Sequence, residues 1–166
     1  MSLEFKIIRK LKMSPKQIFA YYRLMEESFN QMGITEKEGD YSIFSTSVLS
    51  QLKNKTKNFY YFIYKNKQLC GVFNLCVENN KLFLGNVVFN NKLKNTHLIL
   101  DFIAFVLNAK NFKAFDNIYF NINNKNTKSI KTFMHLGGEI VLAKQNSSLY
   151  CLNRNTATTF LAKFNR

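Results

Sequence analysis

The 166-residue chain is 46% hydrophobic, with 17 Phe and 8 Tyr, enough apolar surface to offset the entropy of one folded domain and too little length for two. This excludes a disordered chain. A formal charge of +14 favours an anionic partner, whether nucleic acid, an anionic membrane surface or a phosphorylated ligand. Codon bias explains the abundance of Lys, Asn and Ile equally well. Residues 26–40 run against the trend, holding Glu26, Glu27, Glu36, Glu38 and Asp40 against Lys37 alone, which a plain nucleic-acid binder does not need. Cys70, Cys76 and Cys151 form no Cys-x-x-Cys pair, and His97 and His135 are far from them in sequence, so no zinc site is expected. An odd cysteine count fits a reducing compartment. The apolar run 98–107 is broken by Asp101 and too short for a bilayer, and the protein is expected to be soluble and cytoplasmic.

In chain order, residues 3–8 alternate as a first strand. Ser14 and Pro15 then supply an N-cap and a first helical residue, followed by Ile18, Tyr21, Tyr22, Met25 and Phe29 at helical spacing, with an end near Gly33. The acidic loop 35–40 leads into a weaker helical pattern lined by Val48, Leu49 and Leu52. Residues 59–64, 69–77 and 82–89 read as three strands joined by turns at Asn66-Lys67 and Asn79-Asn80, because Asn tolerates the left-handed backbone of two-residue hairpins. Gly71 marks a bulge or a tight contact. A helix over 98–108 follows, and the tail 156–166 carries a last helical pattern.

The stretch 115–138 organises the rest. Ile118, Phe120 and Ile122 share one face of a strand. Turn residues follow, and from Thr127 the apolar Ile130, Phe133, Met134 and Leu136 recur at helical spacing until Gly137-Gly138. Residues 139–143 and 149–152 form a closing hairpin.

Asn126, Ser129, Ile130, Phe133, Leu136 and Gly137 stand at offsets 0, 3, 4, 7, 10 and 11. This segment resembles the Asn-x-x-(Ala/Ser)-(apolar)-x-x-(Tyr/Phe)-x-x-Leu-Gly segment of the Gcn5-related N-acetyltransferases, and the order of elements along nearly the whole chain is also that of the family. The resemblance implies one α+β domain over 1–166. Its sheet is mixed and mostly antiparallel, with six to seven strands and helices on both faces, parallel only between the strand ending at Phe89 and that at 116–122. It also implies an N-acyltransferase that moves an acetyl or other acyl group from acyl-CoA directly to a small-molecule or protein amine, without a metal.

On that resemblance, Val87 and Phe89 offer backbone to a pantetheine arm, Lys92, Lys94, Asn95, Thr96, His97 and Leu98 form the pyrophosphate loop and helix start, and Asn126, Lys125, Lys128 and Phe133 flank the arm and the adenosine phosphates. Glu36, Glu38 and Asp40 lie where the family covers its acceptor and attract a cationic amine. Two departures stand out. The family's (Gln/Arg)-x-x-Gly-x-(Gly/Ala) loop appears here as Lys92-Leu93-Lys94-Asn95-Thr96-His97, without either glycine. Phe133 also replaces the Tyr that can protonate the departing thiolate. These leave open reshaped CoA binding, another acyl carrier, or a noncatalytic relative whose basic surface binds nucleic acid or another polyanion.

Overall fold

Residues 4–9, 13–31, 41–53, 57–90 and 97–164 are described by the computed structural model. Their elements are β1 (Glu4–Arg9), α1 (Pro15–Gln31), α2 (Tyr41–Lys53), β2 (Lys57–Lys65), β3 (Gln68–Glu78), β4 (Lys81–Phe89), α3 (His97–Asn108), a 3-10 turn (Lys110–Phe112), β5 (Asn117–Asn123), α4 (Thr127–His135), β6 (Gly138–Leu142), β7 (Ser147–Asn153) and α5 (Arg154–Phe164). The strands run in the order β1-β2-β3-β4-β5-β7-β6. The expected parallel pair is present between β4 and β5; β1/β2, β2/β3, β5/β7 and β7/β6 are antiparallel. A parallel neighbour requires a crossover, which α3 supplies. The fold is α+β on a mixed, mostly antiparallel sheet, and its contacts group into two units, Met1–Glu78 with Gly85–Lys94 and Asn79–Leu84 with Asn95–Arg166.

In the first unit, Ser14 caps α1 as expected, and Gln17 completes a reciprocal box: Gln17 N donates to Ser14 Oγ (3.3 Å) while Ser14 N donates to Gln17 Oε1 (2.8 Å). Ile18, Tyr21, Leu24 and Met25 of α1 pack with Phe44, Val48 and Leu52 of α2 on Tyr60, Phe62, Val72 and Val88. The α2 stripe therefore runs 44, 48, 52, one residue in four, and Leu49, expected on it, is exposed. Tyr61, Ile63, Phe73 and Leu75, on the opposite face of β2 and β3, are also fully buried, so both faces of these strands are covered. The β2–β3 turn has Asn66 and Lys67 at φ 52° and 64°, the primed geometry that hairpins select. Pairing steps from Ile63↔Gly71 to Tyr64↔Leu69, leaving Cys70 as a bulge residue. Gly71 is also a tight contact, because a Cβ there would lie 2.8 Å from Val88 O.

In the second unit, Asn79 and Asn80 take the same left-handed turn at φ 47° and 58°. Ile118, Phe120 and Ile122 are buried on one face of β5, as expected, and Phe120 meets Phe133 of α4 at 4.0 Å and Tyr150 of β7 at 5.7 Å between ring centroids. Met134, expected on the apolar stripe of α4, is exposed, since Phe133 and Leu136 suffice to fill that contact. Gly137 ends α4 at φ +85°, and a Cβ on Gly138 would come within 2.8 Å of Phe133 O, so both glycines of the pair are needed. The 3-10 turn was not expected. Its Phe112 carbonyl accepts from the Arg154 guanidinium, as does the Leu107 carbonyl at the end of α3, while Arg154 Nε donates to Phe115 O (2.8 Å).

Candidate functional site

β4 is the fourth of the seven strands among the described residues, and a central strand exposes side chains only where its cover is interrupted. Leu82, Leu84 and Val88 are buried, yet Gly85 and Asn86 are both exposed. In the first unit, Asn86 Nδ2 donates to Tyr21 Oη at 2.9 Å. Tyr21 is itself 1% exposed, held edge-on by Phe44 at 5.0 Å and Tyr60 at 6.0 Å. Tyr60 Oη donates to Gln51 Oε1 (2.5 Å), which also accepts from Asn74 Nδ2 (3.4 Å), and Asn58 Nδ2 donates to Gln51 O (3.0 Å). Burial pushes the Tyr60 phenol well above its ordinary value, with a hydrogen bond to the Asn74 side chain acting against the rise and Cys76 nearby adding to it, so it remains a neutral donor. Desolvation raises the Cys76 thiol as well, which disfavours a thiolate nucleophile.

One atom of this network is unsatisfied. Asn74 is 6% exposed, and its Oδ1 has no hydrogen-bond partner among the described residues, a condition that costs about 1–3 kcal/mol and calls for a reason. Gly85 lies against this amide: a Cβ built on it would stand 3.5 Å from Asn74 Cβ and Cγ. None of Tyr21, Gln51, Tyr60, Asn74 or Asn86 was singled out from the sequence for function. The available signals were a polar Asn74 inside the apolar run of β3 and a Gly-Asn pair interrupting β4.

The residues expected from the sequence fall into three groups. Val87 and Phe89 are half-buried on β4, beyond the parallel pairing, which covers only Leu82–Leu84 with Ile118–Phe120; the Phe89 ring meets Phe73 at 4.9 Å. In the second unit, Asn126 caps α4, its Oδ1 accepting from Ser129 N at 3.1 Å, with Lys125 and Lys128 exposed beside it and Phe133 buried. Leu98 is buried in the first turn of α3. Lys92, Lys94, Asn95, Thr96, Glu36, Glu38, Asp40 and the His97 side chain lie outside the described residues. His135 is exposed, with Phe160 edge-on at 5.9 Å. Tyr119 is half-buried under the Lys81 ammonium at 5.2 Å, and Tyr150 is buried on Phe120. No group of three metal-ligating side chains occurs among the described residues, and no described helix is long and apolar enough to cross a membrane.

No protein-family model and no curated protein sequence matches the chain. Solved structures do. An acetyltransferase from Thermus thermophilus aligns with a TM-score of 0.73 at 11% identity, over 92% of this chain and 97% of that one. Apo FdhC, a nucleotide-linked sugar GNAT, gives 0.74 at 12% over 99% and 93%. The spermidine N-acetyltransferase from Vibrio cholerae, in complex with CoA and spermine, gives 0.68 at 9% over 94% and 98%. At such identities the likeness speaks to the fold. With its element order, its parallel β4/β5 pair and its Asn-capped α4 ending in glycine, the chain has the fold of the Gcn5-related N-acetyltransferase superfamily.

Proposed function

We propose that the chain is an N-acyltransferase that moves an acetyl or related acyl group from acyl-CoA to an amine by direct transfer. The observation that carries this reading is the interruption of β4: the central strand is exposed at Gly85 and Asn86 and carries Val87 and Phe89 beyond its pairing with β5. Backbone groups free of a neighbouring strand can bond an extended ligand as an added strand would, which suits the amide-bearing pantetheine arm. The presence of CoA in similar folds supports acyl-CoA as co-substrate. For its phosphates we assign Lys92, Lys94, the amides of residues 95–98, and Asn126 with Lys125 and Lys128. Glu36, Glu38 and Asp40 would draw in a cationic amine. A single domain in a reducing compartment belongs to the same proposal.

In the reaction, the neutral amine attacks the thioester carbonyl carbon. A C–N bond forms, the C–S bond breaks, and the sulfur leaves with the electron pair. The proton released from nitrogen ends on that sulfur, giving an amide and free CoA thiol. Phe133 has no proton to give and is packed on Phe120, so in this reading water relays the proton from nitrogen to the thiolate. Ordinary thiols titrate near 8.5, within reach of water-mediated protonation. No covalent enzyme intermediate is involved.

Incubation with acetyl-CoA and a panel of amines, followed by thiol release and product mass, tests this. Amine-dependent thiol release with a mass gain of one acetyl group on the amine is expected. The +14 charge favours one other reading, a noncatalytic polyanion binder. Retention of nucleic acid that falls steeply between low and high salt, with no thiol release from any amine, would support that alternative.

A further inference from the structure

The sheet ends in two unlike edges. β1 closes one end and carries Glu4, Lys6 and Arg9 among its six residues, charges of the kind that keep an edge strand from pairing. β6 closes the other, bonded to β7 alone among the described residues, and its Ile140, Val141 and Leu142 are 54%, 54% and 50% exposed. Val141 has no opposite residue on β7, because pairing steps from Ile140↔Tyr150 to Leu142↔Leu149, and every residue over 139–146 is exposed. An edge that leaves backbone groups unpaired and three consecutive apolar side chains in water is a template for another strand.

We propose that β6 pairs antiparallel with β6 of a second copy of this chain, joining the two sheets across a twofold axis. The order of charges along the strand selects this occupant: Glu139 stands near its start and Lys144 just past its end. Antiparallel pairing about Val141 sets Ile140 opposite Leu142 of the second copy, and it brings Glu139 of each copy to the end that carries Lys144 of the other, twice by symmetry. Parallel pairing would instead set Glu beside Glu and Lys beside Lys. Three half-exposed side chains offer apolar area on the order of a few hundred Å² per copy. With the strand backbone this reaches the low end of specific interfaces, about 1,000–1,200 Å² in total, so the dimer is reversible rather than obligate. A twofold seam uses the β6 edge of both copies and closes at two.

Analytical ultracentrifugation of the full chain over a rising concentration series, in low and in high salt, tests the pairing. A monomer-dimer equilibrium with a micromolar Kd is expected, and it should persist in high salt, where association bridged by nucleic acid would dissolve. Val141→Lys sets like charges against each other at the centre of the seam and should weaken the dimer about 10-fold or more. The Tm of dilute protein should not change, because the residue is exposed in the single copy. Glu139→Lys should weaken the dimer several-fold, and adding Lys144→Glu to it should restore the dimer, a reversal that antiparallel self-pairing requires. A chain that stays monomeric at the highest concentration, a dimer lost in high salt, a dimer indifferent to Val141→Lys, or a double variant no better than Glu139→Lys overturns the proposal. The pairing is independent of acyl transfer, so absence of CoA binding would overturn the transferase reading and leave the dimer standing.

Discussion

Replacing Arg154 with Met is expected to lower stability by about 3–5 kcal/mol, because three carbonyls lose a charge-assisted partner at once. The guanidinium donates to Leu107 O, Phe112 O and Phe115 O, joining the end of α3, the 3-10 turn and the entry to β5 from the first residue of α5. Burial lowers the Arg154 pKa, with Asp116 acting against that shift, yet arginine stays charged at any ordinary pH, so the clamp should hold across the neutral range. Met keeps the aliphatic stem and removes only the bonds. Lys should recover a fraction, since a single ammonium cannot reproduce the planar fork. Urea denaturation measures the loss; a midpoint change worth less than about 1 kcal/mol would mean that water replaces the guanidinium without cost.

Truncating Phe120 to Ala should cost about 3–5 kcal/mol, since its ring lies between Phe133 and Tyr150 and is 2% exposed. Phe133→Ala should cost nearly as much. The two rings are 4.0 Å apart, so the double variant should lose less than the sum of the singles by about 0.5–1.5 kcal/mol. Simple additivity in thermal or chemical denaturation would show that α4 is held to the sheet by something other than this pair. The contact also bears on function: Phe133 anchors the helix whose start is capped by Asn126, so loosening it should weaken any ligand that Asn126 and the neighbouring lysines hold.

The parts of the fold that could be read from the sequence are those fixed by neighbours in the chain. The Asn-rich turns were legible because Asn tolerates the left-handed region, although Lys67 at φ 64° shows the hairpin imposing that geometry on a residue with no taste for it. The capped start and glycine end of α4 were legible for the same local reason. What depends on distant partners was not. Arg154 reaches carbonyls 39 to 47 residues away, and nothing in its own neighbourhood announces that. On α2, Leu49 and Phe44 could each have joined the stripe, and packing on Tyr60 and Phe62 chose Phe44. The candidate site illustrates the same limit: Tyr21 and Asn86 are 65 residues apart, and only the fold makes them neighbours. The family resemblance pointed to the residues expected to hold acyl-CoA; the amide network of Gln51, Tyr60 and Asn74 emerged from burial and hydrogen bonding alone.

Calorimetric titration of the whole protein with CoA and acetyl-CoA tests the central claim most directly. Acyl-CoA transfer requires that both bind, and the absence of glycine from residues 92–97 makes this a demanding requirement. The expected result is micromolar binding of each ligand that weakens about 10-fold when Lys94 or Asn126 is changed to Ala, by loss of one phosphate contact or of the helix cap that orders the neighbouring amides. No detectable heat with either ligand, from protein whose circular dichroism and cooperative unfolding show it to be folded, would contradict the acyltransferase account.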